Sequence, residues 1–133
     1  MRAAPMGAAL LLVAALAPPE GRAAEEVLKG RAVFRGHCMQ CHGENADGRG
    51  PLAARFDPPP ADISNSTKTE EYMLQIVTLG GQAMGRSGVM PEWGLELSGE
   101  EILDVVSYLR QVMRDTAAGR SKAAAHAPPG GRS

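Results

Sequence analysis

The chain has little material for an ordinary globular core: among 133 residues there are one Trp, two Tyr and two Phe. It also lacks a long apolar run. The longest, Met6 to Ala17, falls short of the ~20 residues that a membrane-crossing helix requires, and Pro18-Pro19 would stop it. Neither sign of charge dominates, with 14 basic against 15 acidic residues and a net charge of −1. Nothing resembles the basic, aromatic-studded surface of a nucleic-acid binder. Metal-ligand types are scarce as well: two cysteines and three histidines. A structural zinc site needs about four ligands, and beyond His42 the histidines are His37, beside Cys38, and His126, in a tail without hydrophobic periodicity. No strand and no internal repeat is legible.

What is present is the run Cys38-Met39-Gln40-Cys41-His42, which contains both cysteines. Two thiols three positions apart with a histidine directly behind them form the attachment signature of a c-type haem. If both thiols add across the two haem vinyl groups, the porphyrin is tethered along one turn of backbone and His42 can offer an imidazole nitrogen to the iron. The rival reading is a redox dithiol. Such a pair is expected at the start of a helix following a strand, whereas here it closes a segment of helical periodicity.

Residues 1–23 read as a secretory signal, with Arg2 ahead of the apolar stretch and small residues around Gly21 to Ala24. Cleavage after Ala23 gives a mature chain from Ala24 without a transmembrane span, exported to the periplasm or beyond; retention of the segment as an anchor is the alternative. Loss of Arg2, Glu20 and Arg22 leaves 12 basic and 14 acidic residues, a net charge of −2. Ala24 to Leu109 holds seven basic and thirteen acidic residues, and Arg110 to Ser133 five and one. An acidic body with a weakly basic tail suits a protein redox partner approached by electrostatic steering. So small a body has few apolar groups to bury. A covalently held haem would fill its centre, and the apo chain is expected to be largely unfolded.

From Glu25 to Cys38 the pattern predicts a helix, with Val27, Gly30, Phe34 and Cys38 on one face. Gly30 is costly inside a helix, and close approach of another helix would explain it better than flexibility. Gly43 to Ser66 is rich in glycine and proline and reads as ordered loop. Thr67 with Glu70 suggests a capping box for a helix to about Leu79, with Tyr72, Ile76 and Leu79, or Met73, Ile76 and Val77, facing inward and Gly80-Gly81 ending it. Ser98 with Glu101 opens a last helix carrying Ile102, Val105, Val106, Leu109, Val112 and Met113 at helical spacing. It is expected to fade around Arg114, leaving residues 115–133 as a disordered tail.

A second axial ligand decides what such an iron can do. Met1 and Met6 leave with the signal, Met39 lies inside the attachment loop, Met73 and Met113 fall in helices, and Met84 and Met90 remain. Met90 stands in a non-helical stretch, Val89-Met90-Pro91-Glu92-Trp93, where Pro91 stiffens the backbone after the sulfur.

Taken together, Cys-x-x-Cys-His-Gly, Met-Pro-x-Trp and Leu-Ser-x-x-Glu-Ile-x-x-Val-Val-x-Tyr-Leu-Arg resemble the class I monohaem c-type cytochromes in order and spacing, over roughly Glu25 to Arg114. The resemblance implies an all-α fold of about three main helices and Gly/Pro-rich loops wrapped around one haem c, in a domain spanning 24–114. It implies Cys38, Cys41, His42 and Met90 as the haem-binding set, with His42 and Met90 on the iron; Met84, which lacks a following proline and tryptophan, stays the rival ligand on the reading of the residues. It further implies a crossing of the first and last helices at Gly30, Phe34 and Tyr108, a proline carbonyl at Pro51 accepting the other imidazole proton of His42, and Trp93 packed near the haem or bonded to a propionate.

A thioether ligand and an apolar pocket both favour ferrous iron. The expected function is therefore one-electron transfer without a catalytic residue, as a shuttle or as the haem subunit of a larger oxidoreductase. The expected partners are a periplasmic dehydrogenase, a reductase or a membrane respiratory complex. The Gly80 to Gly88 segment keeps a second reading open, in which a labile sixth ligand makes the protein a haem enzyme or a sensor of diatomic gases.

Overall fold

The computed structural model describes residues 20–125. Residues 1–19 of the expected signal segment, and the end of the tail with His126, lie outside them. Among the described residues there are four α-helices and two 3₁₀ turns, and no strands. Helix α1 spans Glu20–His37, α2 Met39–His42, α3 Glu70–Ala83 and α4 Gly99–Ala125; the 3₁₀ turns are Ala53–Arg55 and Trp93–Leu95. The small all-α fold expected from the sequence is the fold observed.

The main packing event is the crossing of α1 on α4. A Cβ built on Gly30 would stand 1.9 Å from the carbonyl oxygen of Asp104 and 2.9 Å from Cβ of Tyr108. No other residue type permits that approach. One turn on, Phe34 is almost wholly buried and meets Tyr108 with ring centroids 5.4 Å apart in a tilted arrangement. Ile102, Val105, Val106 and Leu109 line the inner face of α4 and are all buried. Together with Phe34, Ala46, Met73, Val77 and Leu97 they make up the core.

The start of α4 follows the expected capping box, with Ser98 N–H donating to Glu101 Oε2 at 2.8 Å and Glu101 N–H to Ser98 Oγ at 3.2 Å. Its end departs from expectation. Rather than fading near Arg114, α4 continues through residues 115–125, so the tail expected from 115 begins as helix. Alanine is the strongest helix former, and this stretch is rich in it. Local bonds from Gln111 Nε2 to Asp115 Oδ1 and from Arg114 to Gln111 Oε1 support the turns where burial ceases.

Helix α3 is capped by Thr69, whose Oγ1 accepts from Tyr72 N–H at 3.2 Å, and not by Thr67. Glu70 is its first residue and so stands too early to close a box. Met73 and Val77 are buried while Leu79 is 45% exposed, which selects the second of the two possible inner faces. Gly80 leaves helical geometry at φ 77°, but the helix resumes to Ala83. The glycine pair thus interrupts α3 and does not end it.

Candidate haem-attachment site

Helix α1 runs into the attachment motif with scarcely a break. Cys38 N–H donates to the Phe34 carbonyl at 2.9 Å, and Cys38 in turn accepts from His42 N–H at 2.9 Å. Cys38, Cys41 and His42 thereby share a single turn, the first two as free thiols, all three half-buried. Burial, with Cys41 adding to it, pushes the Cys38 thiol up to about 12. A redox dithiol works through a lowered thiol, so this environment is the opposite of what the dithiol reading requires.

His42 is fixed by its second nitrogen. Nδ1 lies 3.1 Å from the carbonyl oxygen of Ala61. A carbonyl only accepts, so Nδ1 carries the proton and donates, leaving Nε2 with a free lone pair, the arrangement a metal-ligating histidine needs. Burial holds the imidazole below the usual histidine range, against the opposing pull of the Ala61 bond.

This acceptor replaces the one expected at Pro51. Pro51 is exposed, and the turn around it serves another purpose: Gly50 N–H donates to Cys41 O at 3.1 Å and Leu52 N–H to Gln40 O at 2.9 Å, closing the loop onto α2. The Ala61 carbonyl is held in place by its neighbours. Gly48 donates to His42 O at 2.8 Å, and a Cβ there would stand 2.6 Å from Pro60 O and 3.2 Å from Asp62 N. Beyond it, Ile63 and Ser64 N–H both donate to the carbonyl of buried Ala46, at 2.8 and 3.0 Å. The loop's glycine and proline content announced order, but nothing in the sequence singled out Ala61, because a backbone carbonyl has no residue-type signature.

The segment containing Met90 is docked on the glycine pair of α3. Gly81 N–H donates to Met90 O at 3.1 Å, and a Cβ on Gly81 would meet Ser87 O at 2.1 Å and Met90 Cβ at 3.2 Å. A Cβ on Gly80 would lie 2.9 Å from Glu92 N. The stretch that reads as loose from its glycines is therefore clamped by them. Met90 packs against the core, and Met84 does not belong to the packed set. Trp93 also packs on the core, and its ring stands edge-on to His37 with centroids 5.2 Å apart. His37 is exposed beside the motif and makes this ring contact from the surface.

The residues fit a flat apolar macrocycle with a tethered iron. Two free thiols and a histidine with an open Nε2 share one turn. Val33, Met39, Ile63, Leu74, Met90 and Trp93 pack on the core while each keeps part of its surface uncovered. Fold and motif together define the class: this is a small, all-helical, monohaem c-type cytochrome, with covalently attached haem c as its cofactor.

Residues 25–109 match the family described as cytochrome c oxidase, cbb3-type, subunit III, and the chain belongs to that family. It is 30% identical over 84 residues to the cbb3-type cytochrome c oxidase subunit CcoP of Azospirillum brasilense, covering 63% of this chain and 28% of that protein. Cytochrome c6 of Bryopsis maxima is 32% identical over 80 residues, covering 60% of this chain and 84% of that protein. Chloroplastic cytochrome c6 of Chlamydomonas reinhardtii is 28% identical over 120 residues, 86% of this chain and 75% of that one. The chain spans under a third of the length of the two Azospirillum CcoP relatives it matches. No solved structure matches it. These relatives are themselves cytochromes c6 or subunits of a cytochrome c oxidase. Among the described residues, no helix is long and apolar enough to cross a membrane.

Proposed function

We propose that Cys38 and Cys41 carry the two thioethers, that His42 and Met90 occupy the axial positions, and that the protein is a one-electron carrier with both positions filled. The haem supplies a one-electron couple when bound. The chain's residues do the rest. His42 Nδ1–H, donating to Ala61, orients the ring and strengthens Nε2 as a donor. The thioether of Met90 favours ferrous iron, and the apolar surround disfavours the extra charge of the ferric state.

The observation that carries this reading is the clamp on Met90. Its carbonyl is held by Gly81 N–H at 3.1 Å, and its Cβ lies so close that a Cβ on Gly81 would stand 3.2 Å from it. A ligand segment held at its backbone supports a fixed sixth ligand over a labile one, and small reorganisation on electron transfer. Export through residues 1–23 and a partner among periplasmic dehydrogenases, reductases or membrane respiratory complexes complete the proposal. The acidic body gives that partner a charge to recognise.

Exchange of the two methionines tests the assignment. Met90→Ala loses the methionine-to-ferric-iron absorption band while Met84→Ala keeps it. A Met90→Ala protein that retains the band overturns the proposal.

A further inference from the structure

The extension of α4 beyond Met113 asks for a reason, because its residues 114–122 face solvent except for half-buried Thr116. It also lies beyond the region matching the family, which ends at 109. Met113, Thr116, Ala117 and Arg120 recur at helical spacing along one side of this arm. At its far end Nη1 of Arg120 donates to Oδ1 of Asn65, 55 positions earlier in the chain.

Asn65 uses both ends of its amide. While Oδ1 takes the arginine, Nδ2 donates to Asp62 Oδ2 at 2.7 Å. The other carboxylate oxygen of Asp62 accepts from Ser64 Oγ at 2.6 Å and from Asn65 N–H at 3.1 Å. Asp62 is bonded to Ala61, so the peptide whose carbonyl receives His42 Nδ1–H at 3.1 Å is the same peptide that leads into this network. From inside, the peptide rests on Gly48 and is followed by the two bonds to Ala46. From outside, it is held through Asp62, Asn65 and Arg120.

We propose that the C-terminal arm of α4 is a strap over the proximal loop, and that Arg120, through Asn65 and Asp62, is a positioning residue for the bond between Ala61 and the haem ligand His42. The strap rests on the assignment of His42 to the iron. Its effect has a definite sign. A well-aimed carbonyl makes the imidazole a stronger donor, which stabilises ferric iron and lowers the midpoint potential. Loosening the strap weakens that bond and raises the potential. Loss of a remote positive charge acts the other way, because it eases the ferric state. Position and charge are therefore separable.

The test compares the holoproteins of Arg120→Ala, Arg120→Lys, Asn65→Ala and Arg114→Ala by redox titration and by NMR exchange of the His42 Nδ1 proton in the ferrous state. The strap predicts a raised potential and faster exchange in Arg120→Ala and in charge-neutral Asn65→Ala, partial return in Arg120→Lys, and no rise in Arg114→Ala, which removes an equal charge from the same helix without touching the loop. Unchanged exchange in Asn65→Ala, or a potential that falls alike in Arg120→Ala and Arg114→Ala, overturns it. A wild-type ferrous protein without haem-shifted His42 resonances would instead remove the ligand assignment, and the strap with it.

Discussion

Gly30 and Asp104 are in backbone contact: a Cβ on the glycine would stand 1.9 Å from the Asp104 carbonyl oxygen and 2.4 Å from its carbon. An obstructing backbone cannot rotate away as a side chain can. Gly30→Ala must therefore lift α1 from α4 and open the contact between Phe34 and Tyr108. Overpacking of this kind costs about 3 kcal/mol, and denaturant unfolding of the holoprotein should show a loss of that order. An unchanged midpoint would mean that the helices do not cross here.

The side chain of the same aspartate is the subject of a second prediction. Asp104 is 5% exposed, and burial raises its carboxyl above the ordinary value, helped by Glu100 on α4 and by Glu26 and Glu25 on α1, with Lys29 opposing. A carboxyl raised on folding contributes stability below its unfolded value and loses it as pH rises through the folded value. Asp104→Asn removes that loss. The variant should melt higher than wild type at neutral pH, and the gain should vanish below the ordinary carboxylate range. A gain that persists at acid pH would contradict this origin.

Gly81 offers a direct handle on the sixth ligand. Its φ is not in the left-handed region, so alanine is tolerated by the backbone, but the new Cβ meets Ser87 O at 2.1 Å and Met90 Cβ at 3.2 Å. Gly81→Ala should push the Met90 segment outward while leaving the attachment turn alone. The expected result is retained haem, a weakened methionine-to-ferric-iron band and faster binding of added imidazole, followed by stopped-flow spectroscopy. An unaltered band would show that Met90 is held by something other than this contact.

The features legible in the sequence were those that side-chain identity controls. The Ser98–Glu101 cap, the buried stripe from Ile102 to Leu109, and the reason for Gly30 all follow from residue type and spacing. The turn holding Cys38, Cys41 and His42 was equally visible. What escaped was set by backbone or by distant contacts. The acceptor for His42 is the main-chain carbonyl of Ala61 and not that of Pro51, and a carbonyl has no residue-type signature. Gly80-Gly81 has the signature of a helix stop, yet its use is to let the Met90 segment approach. The extension of α4 looked like a tail because it buries little, and its contact partner, Asn65, lies 55 positions away. His37 gave no sign of its contact with Trp93, which depends on how the two ends of the core come together.

The central claim is an iron held on both sides by this chain, and the visible spectrum of the ferrous holoprotein before and after carbon monoxide tests it most directly. A low-spin c-type spectrum that carbon monoxide leaves unchanged is the predicted result. Prompt formation of a carbon monoxide adduct would contradict it, moving the protein from electron carrier toward ligand-binding haem chemistry.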